Sequence, residues 1–183
     1  MSTRFALHTI ATAPAKSRDV LEALQQAFGV IPNVAGEIAN SPVLATGFIG
    51  LFRNVHAGTF SEAEIQVLLL TNAVTNRSAW ATAFHTALAL NEGIASSDVE
   101  AIRRGGLPAH ARHAALARLA KALIETRGQH VDAEVDAFCA AGFEPAQALE
   151  LVGVVAASTI TNYAAGMTHP PLEDAFQAHA WAA

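Results

Sequence analysis

The segment 61–93 reads as two consecutive apolar helices joined by a short turn, and this pair constrains the fold more than any other part of the chain. It opens with Ser-Glu-Ala-Glu, a capping box in which the hydroxyl of Ser61 and the carboxylate of Glu64 satisfy backbone N–H groups that a first helical turn leaves unpaired. We predict that the first helix ends near Asn76 and that the second covers residues 78–90. The short connection between them predicts an antiparallel pair.

Apolar residues at every third or fourth position continue the helical pattern on both sides of this pair. Glycine and proline mark expected ends, for example Gly29 after the first helix and Pro42 at the first position of a later one. No stretch alternates apolar and polar residues as a half-buried strand does, and no repeat or flexible linker divides the chain. We predict one all-α domain over residues 1–183 with about seven to ten helices, which include segments at about 16–29, 33–40, 42–57, 96–104, 108–128, 131–141, 144–168 and 172–181.

Charge and hydropathy argue against two classes of partner. The net charge is −5 and basic residues cluster only at Arg103 and Arg104, so the sequence predicts no nucleic-acid partner. The longest apolar runs, such as Val67–Leu70, fall far short of the roughly 20 residues that a membrane span needs, so we expect no membrane partner. Hydrophobic residues nevertheless make up 52% of the chain and charged residues only 15%. Surplus apolar surface of this kind is typical of subunit contacts and predicts a homo-oligomer.

The N-terminal residues and the cysteine content favour a cytoplasmic location. The first 19 residues lack the continuous apolar stretch and the cleavage site of a secretory signal, and the single Cys139 permits no intrachain disulfide. No glycine-rich phosphate loop is present, so we expect no cofactor. His110 and His113 are spaced i, i+3, but no carboxylate shares their helical face within that turn, and we expect no metal site there.

Three stretches of the chain together resemble one known family. Residues 27–48 are similar to a preamble of the form F-G-x-x-P-N followed by A-x-S-P, and residues 159–176 are similar to a closing segment with N-Y, then P-L and a final F. Between them, the layout from Gln66 to His85 resembles the carboxymuconolactone decarboxylase and alkylhydroperoxidase (AhpD-like) superfamily. The resemblance implies an all-helical protomer that forms a homo-trimer or homo-hexamer, with the site near a subunit boundary. A dimer is the other assembly that we consider.

The peroxidase branch of that superfamily has an acidic residue near the start of one helix and C-x-x-C-x-x-x-H on the next. Counting back from His85, the two cysteine positions fall on Ser78 and Ala81, and the acidic position falls on Gln66. A serine hydroxyl forms neither the sulfenic acid nor the disulfide of the thiol cycle, alanine has no functional group, and glutamine exchanges no proton near neutral pH. We therefore expect no dithiol peroxidase activity. A one-cysteine peroxidase that uses Cys139 is an alternative.

The decarboxylase branch keeps a histidine on this helix without the cysteine pair, and Arg77 and His85 fit its arginine and histidine. Loss of carbon dioxide from a lactone acid requires a cation for the substrate carboxylates and a proton donor for the carbanion that remains. On a continuous helix, Arg77 and His85 lie about 80° apart, which is compatible with one shared cleft. Glu62 and Glu64 belong to the helix cap first, although their proximity to Gln66 allows one of them to substitute as the acid.

Two classes of function follow from these residues. In the first, the chain is an enzyme, either a small-molecule lyase or a relative of antioxidant peroxidases, in which His85 gives or takes a proton. In the second, it is a non-catalytic oligomeric relative that binds a small apolar ligand or a partner protein. The enzyme hypothesis predicts an open pocket with polar residues beside His85, and the binding hypothesis predicts a closed or purely apolar cavity. The candidate catalytic residues are His85, Gln66, Ser78 and Arg77, and the candidate substrate-binding residues are Trp80, Ala81 and Phe84.

Overall fold

The computed structural model describes residues 4–182, which form nine α-helices and one short 3₁₀-helix. This part of the chain contains no β-strand, so the predicted all-α fold is confirmed. The α-helices are α1 (Ala15–Phe28), α2 (Asn33–Ile38), α3 (Pro42–His56), α4 (Glu62–Thr75), α5 (Ala79–Asn91), α6 (Ser96–Arg103), α7 (Ala111–Thr126), α8 (Asp132–Ala140) and α9 (Pro145–Thr168), and the 3₁₀-helix covers Asp174–His179.

Local signals place several helix ends where the sequence predicts them. At the start of α4, Ser61 Oγ accepts a hydrogen bond from the N–H of Glu64 at 3.3 Å, and Glu64 Oε2 accepts one from the N–H of Ser61 at 2.9 Å. The predicted capping box is therefore formed. Gly29 ends α1 with φ +74, a left-handed conformation that glycine adopts at little cost.

The start of α7 differs from the prediction, because the helix begins three residues after Pro108. The carboxylate of Asp98 accepts hydrogen bonds from the N–H groups of Ala109 at 2.8 Å and His110 at 3.3 Å, which holds this stretch as a loop. His110 is consequently the cap of α7 rather than a member of it, and its Nδ1 accepts a hydrogen bond from the N–H of His113 at 3.4 Å. Among residues 4–182, no group of three or more His, Cys, Asp or Glu side chains is placed to hold a metal ion.

The helix α4 lies at the centre of the fold and is buried on nearly all sides. Ile65, Leu68 and Leu70 are fully buried and pack with α7, α8 and the first half of α9 in one hydrophobic cluster. A second cluster joins α1, α2, α3 and α5 to the other half of α9. The long helix α9 takes part in both clusters, through Leu151 at one end and Ala164 at the other.

The helix α9 is also the one helix of the described chain that is long and apolar enough to cross a membrane, judged by length and composition. Residues along its length of 24 residues pack into both clusters, and 44% of its most apolar 18-residue stretch is buried inside the fold. Core packing therefore accounts for much of its apolar character. Its outer face still exposes large apolar side chains, namely Leu149, Val152, Tyr163 and Met167.

The residues that follow α9 fold back over α2 and α5. Glu173 accepts two hydrogen bonds, at 2.6 Å from the backbone N–H of Asn33 and at 3.0 Å from the indole N–H of Trp80. The side-chain amide of Asn33 in turn donates to the carbonyl oxygen of Pro171 at 2.9 Å. The preamble and the closing segment that carry the family resemblance are thus in direct contact, although up to 140 residues separate the bonded groups.

Candidate functional site

A cavity of about 50 Å³ lies between α1, α2, α3, α5 and α9, with α4 at its base. This volume holds a few water molecules or a small organic group. Phe28, Phe52 and His56 are only half-buried and form its outer rim. The aromatic lining residues are Phe28, Phe48, Phe52, Trp80 and Phe84, and the polar ones are His56, His85, Ser158 and Thr161.

Three parts of the chain build the aromatic wall. Trp80 and Phe84 stack with their ring centroids 5.0 Å apart and their planes at 16°, because residues four apart share one face of α5. Phe28 from α1 meets the ring of Phe84 edge-on at 5.7 Å, and Phe176 from the C-terminal segment does so at 5.0 Å. Such edge-to-face pairs stabilise beyond the area that they bury. Both Trp80 and Phe84, the aromatic candidates from the sequence, face the cavity.

His85 lies on α5 at the inner wall of the cavity and is 8% exposed. Its Nδ1 lies 3.1 Å from Oε1 of Gln66 on α4. A carbonyl oxygen only accepts, so Nδ1 carries the proton and Nε2 is left as a bare acceptor. Burial lowers the pKa of His85 from 6.5 to about 3, because the charged form loses its hydration, and the electrostatic interaction with nearby His56 lowers it further. The ring is therefore a neutral imidazole at physiological pH.

His56 is the second imidazole of the cavity, and the sequence analysis did not identify it. It lies in the last turn of α3, and its Nδ1 is 3.0 Å from both carboxylate oxygens of Glu62 at the start of α4. Its ring packs against Phe52 with centroids 4.3 Å apart. The Nε2 atom is shielded from solvent and has no hydrogen-bond partner among the described residues.

Four other candidates from the sequence do not line the cavity. Arg77 is exposed at the turn between α4 and α5, with φ +56, and so lies outside the helix that carries His85. Ser78 is the residue before α5, and its hydroxyl is buried without a partner among the described residues. Ala81 is fully buried on α5, and Gln66 contacts the site only through His85.

A network of side-chain amides holds Ser158, one of the polar residues of the cavity wall, in position. Asn162 Nδ2 donates to Asn72 Oδ1 at 2.9 Å and, more weakly, to Ser158 Oγ at 3.4 Å. Asn72 Nδ2 donates to the carbonyl oxygen of Val155 at 2.9 Å, which ties α4 to α9. Ser158 therefore presents a positioned hydroxyl at the cavity wall.

Cys139 lies apart from this site. It is half-buried on α8 and packs against the hydrophobic cluster that surrounds α7. It is absent from the residues that line the cavity. A peroxide bound beside His85 would thus not meet the thiol.

Comparison by sequence and comparison by structure give different results. No family model matches the chain, and no curated protein matches its sequence. Among solved structures, the chain is similar to the alkylhydroperoxidase AhpD core of an uncharacterized peroxidase-related protein from Ralstonia eutropha JMP134. The two structures match with a TM-score of 0.82 at 17% sequence identity, and the match covers 94% of this chain and 93% of the Ralstonia chain.

Two further solved structures have the same architecture. The debrominase Bmp8, in a cysteine-to-alanine variant bound to 2,3,4-tribromopyrrole, gives a TM-score of 0.80 at 18% identity and covers 98% of this chain and 96% of its own. An uncharacterized peroxidase-related protein from Silicibacter sp. TM1040 gives 0.75 at 16% identity, with 94% and 92% covered. The chain has the AhpD-like fold, which confirms the resemblance at the level of the fold.

Proposed function

We propose that this protein is a small-molecule enzyme of AhpD-like fold that uses imidazole in place of thiol chemistry. His85 contacts the substrate and accepts a proton or a hydrogen bond from it. The position of His85 carries this proposal, because a neutral imidazole whose Nδ1 is held by Gln66 offers Nε2 as an acceptor at the wall of an apolar cavity. A positioned acid or base of this kind contributes roughly 10²–10⁴-fold to a rate.

The substrate that suits this cavity is small, uncharged and mainly apolar. None of the described residues that line it is Lys or Arg, so a substrate carboxylate would lose its hydration without a counter-charge. Arg77, the cation that a lactone decarboxylase would need, is exposed outside the cavity. A lyase reaction here therefore requires a neutral substrate. The debrominase of the same fold binds a small apolar ring, and a ring of that class would pack against Trp80 and Phe84.

The test is turnover of a panel of small apolar rings and neutral lactones, which includes halogenated pyrroles, phenols and, with a dithiol, cumene hydroperoxide. We expect wild-type protein to convert at least one neutral ring or lactone, and we expect no turnover of the hydroperoxide. His85→Gln is expected to lower that rate by about 100-fold or more, because it removes the acceptor nitrogen. Products are followed by liquid chromatography with mass detection.

The control is His113→Gln, which changes a half-buried histidine on α7 outside the cavity and should leave the rate unchanged. Equal rates for wild type and His85→Gln would contradict the proposal. Saturable binding without conversion of any panel member would favour the second candidate function, a non-catalytic ligand-binding protein. The apolar lining of the cavity is the observation that favours this second candidate.

We also propose that the protein is a homo-oligomer whose contact includes the outer face of α3 and α9. The backbone N–H of Thr59 donates to Glu150 Oε1 at 2.6 Å, so the end of α3 lies beside the start of α9. Ala45 near the start of α3 packs in the same hydrophobic cluster as Ala164 near the end of α9, so the two helices run antiparallel. Val43 at the start of α3 is 85% exposed and lies at the same end of this pair as Tyr163 and Met167, each 65% exposed. Large apolar side chains grouped in this way are typical of subunit contacts.

Met167→Glu is expected to shift the protein to a monomer of 19.1 kDa, because it places a charge within the proposed contact. The measurement is size-exclusion chromatography with light scattering, with wild-type protein expected at two, three or six times that mass. Gln129→Glu adds the same charge at an exposed position in the loop after α7, outside α3 and α9, and should leave the assembly intact. A monomeric wild type at micromolar concentration would contradict this proposal.

A further inference from the structure

His56 has an acceptor nitrogen that no group of the described chain uses. Because Nδ1 lies between the two carboxylate oxygens of Glu62, the proton of the neutral ring is on Nδ1 and Nε2 is bare. This Nε2 is shielded from solvent and lacks a hydrogen-bond partner, which is unfavourable for a buried polar atom. His56 lines the cavity, and a bound ligand whose O–H or N–H donor reaches this nitrogen would satisfy it.

The two histidines of the cavity differ in the group that holds Nδ1. Gln66 is a neutral amide, so a proton on His85 would leave a positive charge in apolar surroundings. Glu62 is a carboxylate, and a carboxylate behind an imidazole both orients the ring and stabilises the imidazolium that forms when it takes a proton. Glu62 is also exposed, which gives this proton a route to solvent.

We propose that His56 and Glu62 form the proton-accepting pair of the cavity, and that the substrate is a weak acid on an apolar ring, a phenol or an N–H heteroaromatic. This proposal rests on the function proposed for the cavity and adds the acidic group of the substrate and the atom that receives its proton. The O–H or N–H bond of the ligand breaks, its electron pair stays on oxygen or nitrogen, and the proton binds Nε2 of His56. The Nδ1–H group stays hydrogen-bonded to Glu62, and His85 stays neutral and accepts a hydrogen bond from a second donor of the ligand where the ligand carries one.

The test uses 4-nitrophenol, whose phenolate absorbs visible light and whose phenol does not, at a pH where the free probe is mostly protonated. We expect wild-type protein to raise the phenolate band in a saturable way. His56→Gln is expected to lower the phenolate fraction at saturation at least tenfold, because it removes the acceptor that Glu62 supports. Glu62→Gln is expected to lower it in the same direction and supplies the test if the His56 variant fails to fold. The probe with its hydroxyl methylated, 4-nitroanisole, should bind at least tenfold more weakly.

Three results would overturn the inference: no saturable binding of 4-nitrophenol to wild type, an unchanged phenolate band in His56→Gln and Glu62→Gln, or equal affinity for 4-nitroanisole. His113→Gln is the control and should behave as wild type. The readout is the protonation state of a bound probe, not turnover. Failure of the His85 turnover test therefore leaves this measurement interpretable, and the two proposals can fail separately.

Discussion

Replacing Phe84 by alanine is expected to lower the free energy of unfolding by about 3–5 kcal/mol. The side chain is 4% exposed and contacts Trp80, Phe28 and Phe176, which come from three different parts of the chain. Its removal therefore costs the transfer free energy of a large ring and also leaves a void, because neighbours anchored on separate elements cannot all move in. The measurement is urea unfolding followed by circular dichroism at neutral pH.

Phe176→Ala is the matched control for this substitution. It removes one ring of the same cluster from a half-exposed position in the C-terminal segment, so we expect a smaller loss of stability. The void in Phe84→Ala should join the cavity of about 50 Å³, and benzene should then raise the melting temperature of this variant more than that of wild type. A loss below about 1 kcal/mol for Phe84→Ala would contradict the packing described for this wall.

Acidification from pH 6.5 to about pH 4 is expected to cost about 3 kcal/mol of stability through His85 alone. Burial lowers the folded pKa of His85 to about 3, below the value of 6.5 that applies in the unfolded chain. The unfolded chain therefore binds a proton in this window while the folded protein does not, and stability falls as the pH falls. The contribution of His85 to the free energy of unfolding is fully present above pH 6.5. It is lost progressively as the pH falls from 6.5 toward the folded-state pKa of about 3.

The measurement is the free energy of unfolding in urea at a series of pH values, for wild type and His85→Gln. The variant is expected to show a flatter dependence, because its amide does not titrate. His113 and Glu64 also have lowered pKa values, the first through burial and the second through hydrogen bonds from Ser61 and Arg112 that outweigh its burial, so both add losses of the same sign on acidification. The contribution of His85 is therefore the difference in pH dependence between wild type and His85→Gln. Parallel curves for the two proteins would contradict the burial of a neutral imidazole.

Much of the fold could be predicted because its signals are local. The capping box at Ser61 and Glu64 and the glycine that ends α1 are decided by neighbouring residues, and both form as expected. Trp80, Phe84 and His85 lie on one helix, so periodicity alone was enough to place them near one another. The start of α7 could not be predicted because Asp98, eleven residues before Ala109, captures the amides of the loop.

The site could be predicted only in part, because its geometry depends on contacts between helices. The 80° separation of Arg77 and His85 assumed a continuous helix, whereas the left-handed backbone at Arg77 places it before α5 begins. An acidic residue such as Glu62 is common in the first turn of a helix, so nothing in the sequence points from it across the loop to His56. A histidine and a carboxylate six residues apart give no recognisable motif until the loop between α3 and α4 brings them together.

The hydrogen bonds that Glu173 accepts from Asn33 and Trp80 have a consequence for the order in which the site forms during folding. They hold the segment that carries Phe176, whose ring packs on Phe84, against groups 140 and 93 residues earlier in the chain. Contacts between residues so far apart in sequence form late, because the entropy cost of closing the long loop must be met before the contact stabilises the chain. Phe84 therefore lacks the cover of Phe176 until this segment has docked on α2 and α5, and we expect the complete aromatic wall to be among the last parts of the fold to form.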